Sequence, residues 1–315
     1  MTPQPMAGQP RAGTLPGTSA DADDRQPRTG RRRPVGGQRS NVLTIALLAC
    51  AAYFLLPLAW LVIASTKSNS DLFSTFGLWF AHFNLVGNLR DVFTFQGGIY
   101  ISWLRNTIFY AVTSGVGAAA LATAAGYAFA KLHFPGGNAL FAIVLGAIMV
   151  PLTALAIPTY LLFSEVGLTN TPWAIILPSL VSPFGVYLMR VYAADAIPDS
   201  LLEAARIDGA SEARIFFSVA LRLLAPGFVT VLLFALVATW NNYFLPLIML
   251  NSPQYFPLTV GLAQWQSTSA AGSGSQALFS MVITGSLVSI IPLVVAFLFL
   301  QRYWQSGLAT GGIKQ

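Results

Sequence analysis

The chain has 315 residues, of which 55% are apolar and only 9% charged, with a mean hydropathy of +0.65. Soluble domains carry about a quarter charged residues, so this composition excludes an ordinary soluble protein and points to an integral membrane one. The net charge of +6 does not argue for a nucleic-acid partner, because seven of the 17 basic residues (Arg11, Arg25, Arg28, Arg31, Arg32, Arg33 and Arg39) fall in the first forty positions, where they read as a cytoplasmic anchor.

Residues 1–40 are rich in Pro, Gly, Arg and Asp and almost devoid of large apolar side chains. Such a segment cannot bury enough surface to offset its ordering entropy, and it is expected to be a disordered basic tail. The triplet Arg31-Arg32-Arg33 before an apolar run raises an export signal, and Leu47-Leu48-Ala49-Cys50 faintly resembles a lipoprotein cleavage site. Against both, the apolar run continues to Ser65, long enough for a bilayer core that needs about 20 residues. Cys50, the only cysteine, excludes an intrachain disulfide and a cysteine metal cluster.

The first expected span is therefore 41–65. Residues 66–105, with Lys67, Asp71, Asp91 and Gly97-Gly98, are too polar to cross. A second span, 106–130, is charge-free and rich in Ala and Gly, which lets neighbouring helices approach closely. The third, 140–163, contains Pro151 and Pro158, and the fourth, 173–189, contains Pro178 and Pro183. Prolines at membrane depth free backbone carbonyls and are tolerated where protein or a wet cavity satisfies them, so these helices are expected to line a path. From Leu223 to Gln301 no charge occurs. Hydropathy places spans at 227–250 and 278–300, separated by 251–277, which is too rich in Ser, Gln, Gly and Pro. A charged side chain costs about 2.5 to 3.5 kcal/mol at a helix centre, so six charge-free segments form a strong signal.

Orientation follows from the basic residues. With the N-terminus inside, the N-terminal arginines, Lys131, Arg190, Arg206, Arg214, Arg222, Arg302 and Lys314 are cytoplasmic, while Lys67, Arg90 and Arg105 are outside. This satisfies the positive-inside rule.

Between the fourth and fifth spans lies a charged island, Leu202 to Pro226, within a loop over 198–226. It reads as two short helices broken at a turn. Ser200 and Glu203 have capping-box spacing, Asp208-Gly209 supplies a stop, and Ser211 is placed to cap a second start. Ala204, Ala205 and Ala210 are small enough for another surface to come close. Taken alone, the island reads as a solvated amphipathic linker.

The spacing Glu203-Ala204-Ala205, Asp208-Gly209-Ala210, then Phe216, Leu221 and Pro226 resembles the EAA loop of permease subunits of bacterial ABC importers. Arg222 stands where that family usually has proline, which bears on the bend before the next span. Tyr127-Ala128-Phe129-Ala130, Met149-Val150-Pro151, Asn170-Thr171, Trp240-Asn241-Asn242 and the tail from Gln301 look like carbohydrate-uptake permeases similar to the second maltose permease subunit. The resemblance covers most of the chain after Ser40. It implies an all-α, polytopic type I ABC importer permease with six transmembrane helices over 41–315, a cytoplasmic coupling-helix loop, and both termini in the cytoplasm of a bacterial cell. It implies as partners a second permease subunit in a heterodimer, two ATPase subunits, an extracytoplasmic solute-binding protein and membrane lipid. Glu203, Ala204, Ala205, Asp208 and Gly209 would dock on the ATPase. Trp240, Asn241 and Asn242 are candidates for the translocation path, by stacking and hydrogen bonding to a sugar, although the same residues also suit helix packing.

No catalytic constellation is visible, and the chain is expected not to be an enzyme. His82 and His133, the only histidines, lie in separate loops on opposite faces, so no metal site is expected. Gly272-Ser273-Gly274 lacks the following lysine of a phosphate-binding loop, so no cofactor is expected and ATP would be bound by a partner. Alternatives are an importer for glycerol phosphate or polyamine, or an ion-coupled transporter. A polyamine path would show acidic residues, and ion-coupled transporters usually carry ionisable groups within spans; neither is present here.

Overall fold

The computed structural model describes residues 41–270 and 278–311. The expected basic tail at 1–40, the glycine-rich run at 272–274 and Lys314 lie outside the described residues. Helical elements make up the regular structure of the described residues: α1 (Asn41–Ser65), α2 (Asn69–Ser74), α3 (Leu85–Thr94), α4 (Ile99–Lys131), α5 (Gly137–Ile148), α6 (Ala156–Glu165), α7 (Trp173–Ser179), α8 (Pro183–Ala196), α9 (Asp199–Ile207), α10 (Glu212–Ile215), α11 (Leu221–Trp240), α12 (Phe244–Met249), α13 (Leu258–Ala270) and α14 (Leu278–Gly311). Two compact units divide within α1, after Ala51. The described part of the first, residues 41–51, is helical and exposed throughout.

The axis of the second unit is α4. A stripe of small residues on this helix, Ala111, Gly115, Ala118, Ala119, Ala122 and Gly126, is buried, and α8 and α11 pack against it. The approach is close enough to demand glycine. A Cβ on Gly126 would lie 2.5 Å from Met189 Cβ and 2.7 Å from Arg190 N, and one on Gly185 of α8 would lie 3.1 Å from Ala122 Cβ. In a bilayer, where burial of apolar surface does not drive helices together, such backbone proximity supplies the van der Waals contact that does.

At one end of α4 an aromatic cluster forms around Tyr100, Trp103 and Trp265. The described part of the polar segment too hydrophilic to span, residues 251–270, folds back here as a short 3₁₀ turn and α13. Trp103 Nε1 donates to Pro253 O (2.9 Å), Asn106 Nδ2 to Gln254 O (2.7 Å), and Tyr110 OH to Tyr255 O (2.9 Å), while Leu258 N donates to Thr107 Oγ1 (2.8 Å). These bonds satisfy backbone groups that irregular chain would otherwise leave unpaired at depth.

Five helical stretches among the described residues are long and apolar enough to cross a membrane: 41–65, 99–131, 173–196, 212–240 and 278–301. The third expected span, 140–163, is not one of them. It is two helices, α5 and α6, joined by successive i to i+3 turns through 146–156. Pro151 has no N–H to give an α-helical ladder and disfavours helix at Val150, whereas Pro158 sits in the first turn of α6 where a missing donor costs nothing. At 1.5 Å per residue, α5 is about 18 Å long and cannot cross the core alone. A crossing by this segment would require both helices and their turn. The fourth expected span, 173–189, is also longer and interrupted: α7 stops before Pro183, which takes the first position of α8 behind Ser182, whose side chain accepts from Gly185 N (3.2 Å). The second begins earlier than expected, at Ile99, with Arg105 exposed on its second turn.

Candidate functional site

The island between α8 and α11 is built as expected at its centre and differently at its start. Ser200 is not a cap. Pro198 occupies that position in extended conformation (φ −64°, ψ 135°), and α9 begins directly at Asp199, with no side-chain capping bond. Asp199 instead places a carboxylate in the first turn, where the helix dipole favours it. Lys131 Nζ, at the end of α4, donates to Asp199 Oδ1 at 2.7 Å. The hydrogen bond and charge of Lys131 hold the Asp199 carboxyl below the usual aspartate range.

The stop falls where the sequence places it. Gly209 has φ +79°, Gly209 N donates to Arg206 O and Ala210 N donates to Ala205 O, both at 3.0 Å. This is the Schellman arrangement, in which a left-handed residue lets two amides turn back onto the last helical carbonyls. Ser211 then caps α10, its side chain accepting from Arg214 N (3.4 Å). Arg206 spans the turn with two bonds to Glu212, Nε to Oε1 at 2.6 Å and the terminal nitrogen to Oε2 at 3.3 Å, fixing α9 against α10.

Two buried side chains, Leu202 and Ile215, anchor this unit in a cluster with Tyr127, Met189, Ala193 and Ile197. Tyr127 of α4 meets the ring of Phe216 at 5.1 Å, so residues from two separately recognised stretches touch. The opposite face carries Glu203, Ala204, Asp208 and Gly209, all exposed, with Ala205 half-buried. Ile207 is 86% exposed, an apolar side chain left uncovered by the described residues. Past Ile215 the helix widens into one π-helical stretch, Phe216–Ala220, then runs without a break into α11. The expected loop therefore ends at 211, and Arg222 and Pro226 lie inside a continuous helix from Glu212 to Trp240.

Trp240, Asn241 and Asn242 form the far end of that helix. Trp240 is buried in the aromatic cluster. Asn241 is exposed and its Nδ2 donates to Val237 O (2.9 Å), closing the helix. Asn242 Oδ1 accepts from Leu245 N (3.4 Å) at the start of α12, and its carbonyl accepts from Thr259 Oγ1 (2.8 Å). The three residues lie together at a helix break, with one side chain packed, one exposed and one capping.

Sequence reasoning did not single out the Lys131 and Asp199 pair or the role of Asn170. Asn170, at φ +57°, accepts through Oδ1 from Asn251 N and Ser252 N (2.9 Å each) and donates through Nδ2 to Ser252 Oγ (2.9 Å). His82 lies within 3.8 Å of Asp71, and among the described residues no group of three His, Cys, Asp or Glu side chains is placed to hold a metal.

Residues 115–308, which include the α9–α10 unit and the Trp-Asn-Asn break, match the family model described as the binding-protein-dependent transport system inner membrane component. The chain belongs to this family. It is 34% identical over 275 residues to the arabinooligosaccharides transport system permease protein AraQ of Halalkalibacterium halodurans, covering 87% of this chain and 96% of that protein. It is 32% identical over 223 residues to the maltodextrin transport system permease protein MdxG of Bacillus subtilis, covering 70% of this chain and 78% of that one. Among solved structures, a chain of a bacterial ABC transporter involved in the import of the acidic polysaccharide alginate superposes with a TM-score of 0.72 at 25% identity, covering 84% of this chain and 95% of that chain. The protein is thus a multi-pass membrane permease subunit of an ABC importer, a transport component rather than an enzyme.

Proposed function

We propose that this permease imports a sugar or oligosaccharide into a bacterial cell, as one half of a heterodimeric path with a second permease, two ATPase subunits and an extracytoplasmic solute-binding protein. Both termini and the α9–α10 unit lie in the cytoplasm. Glu203, Ala204, Ala205, Asp208 and Gly209 dock on an ATPase, which binds the ATP. Closure of the ATPase dimer moves α9, and the move passes through Leu202 and Ile215 to α4 and α8 and through the unbroken helix to α11.

The observation that carries this reading is the rigidity of the α9–α10 unit combined with its outward face. The Schellman turn, the Arg206 and Glu212 clamp and the two buried anchors give a short helix that can transmit force, and the side turned away from the core exposes Ile207 beside the small residues. The sugar assignment draws on the relatives named for arabino-oligosaccharides and maltodextrin. Of the three, Asn241 is the one we assign to contact with a polar solute, a reading supported by its exposure where α11 breaks, with Trp240 packed in the cluster.

The test is recovery of the tagged chain from its native host in mild detergent, followed by mass spectrometry and an ATPase assay. An ATPase, a second permease and a solute-binding protein that retains a saccharide are expected. A chain that comes out alone in several detergents, or with a binding protein that holds a non-sugar solute, contradicts the reading.

A further inference from the structure

A cavity of roughly 620 Å³ opens at the Lys131 end of α4, between the α4–α5 turn and α8. Its wall carries Arg190 and His133, three phenylalanine rings (Phe129, Phe134 and Phe141), and Asn138, with no acidic side chain among its lining residues. The guanidinium carbon of Arg190 lies over the Phe141 ring, 3.8 Å from its centroid. The ring takes no N–H hydrogen bond in such a contact, so the guanidinium donors remain to serve another acceptor. No carboxylate pairs with Arg190 among the described residues, and the nearby Asp199 is already engaged by Lys131.

The cavity is therefore cationic, edged by donors and floored by aromatic rings. It sits where one apolar helix, Ile99–Lys131, ends and the next, Gly137–Ile148, begins, and helices that span a bilayer end near its headgroups. Leading away from it, α5 presents Leu140 and Ile143, 49% and 68% exposed, as an apolar track. A soluble anion would use the cation and leave the rings and the track unmatched. We infer that this cavity binds the phosphodiester headgroup of an anionic membrane lipid, with Arg190 donating to the phosphate and an acyl chain lying along α5. Basic pockets between helices at a membrane surface recognise such headgroups by this combination of charge and depth. The inference needs only that the chain sits in a bilayer and is independent of the transported solute.

Native mass spectrometry of the full-length chain, titrated with phosphatidylglycerol, phosphatidylcholine or inorganic phosphate, tests it. One phosphatidylglycerol is expected to bind preferentially over phosphatidylcholine. Removal of one cation near a charged surface weakens attraction about five-fold, so R190Q should lose that much, and R190K should keep most of it. Asn138→Asp, which alters an exposed side chain and leaves the Arg190 and Phe141 contact in place, should weaken binding similarly, so that the result does not depend on R190Q folding. R222Q, a cation outside the cavity, should bind as the unaltered chain. Equal binding of the two lipids, wild-type affinity in both R190Q and N138D, or displacement of the lipid by millimolar phosphate overturns the assignment.

Discussion

Lys131 Nζ donates to Asp199 Oδ1 at 2.7 Å, so the last residue of α4 holds the first residue of α9. The lysine side chain is only 6% exposed, whereas the carboxylate is 77% exposed. Without Asp199, the ammonium would retain only a 3.4 Å contact to Ala194 O.

This pair predicts a pH dependence with a definite sign. The folded Asp199 carboxyl is shifted down by the hydrogen bond and charge of Lys131. Its contribution is complete above the ordinary aspartate value of about 3.9 and is lost as pH falls through the lower folded value. Thermal unfolding of the purified chain should show Asp199→Asn melting below the unaltered protein at neutral pH, with the gap closing in acid. A gap that is constant with pH would assign the effect of the substitution to something other than the charge.

Gly126 predicts a packing failure. An added Cβ meets Met189 Cβ and the Arg190 backbone nitrogen, and backbone cannot step aside as a flexible side-chain tip can. Gly126→Ala should cost about 1 to 3 kcal/mol, the range for overpacking a filled core. Gly146→Ala, where no atom lies within 4 Å of the added carbon, should cost nothing measurable. Denaturant titration of the two variants side by side checks this.

Asn170 predicts a separation between backbone strain and hydrogen bonding. Asn170→Gly removes three bonds while tolerating φ +57°, and because Asn251 is exposed and Ser252 half-buried, water can take over their amides, so each bond lost costs about 0.5 to 1.5 kcal/mol. Asn170→Ala adds the left-handed penalty of about 1 to 2 kcal/mol. The order of stability in detergent should be Asn, then Gly, then Ala. Equal stability of Gly and Ala would mean that the loop relaxes out of this conformation.

What was legible in the sequence is what chemistry within a few residues decides. Gly209 and Ser211 announce a stop and a start because the left-handed turn and the cap are local. Charge-free runs announce spans because the cost of a charge in the core does not depend on fold. Ser200 misled because Pro198 two residues earlier fixes the helix start, so the apparent capping box falls inside the first turn. The 140–163 run reads as one helix by hydropathy, which does not register that Pro151 breaks the ladder. The return of 251–270 onto α4 rests on side chains about 150 residues distant in sequence, such as Trp103 with Pro253, and no periodicity carries that information. Trp240 and Asn242 show the same limit: residue type allowed both packing and a path, and only the fold places one in a cluster and the other at a helix start.

If the α9–α10 unit couples this permease to an ATPase as proposed, the coupling should fail at Gly209. At φ +79° a valine is strained, yet no atom lies within 4 Å of the added carbon, so the substitution acts on the turn and leaves neighbouring packing alone. In the complete importer reconstituted in vesicles, Gly209→Val should leave membrane insertion and assembly of the permease pair intact while uptake falls by an order of magnitude or more relative to ATP hydrolysed. Uptake per ATP equal to that of the unaltered importer would contradict the account.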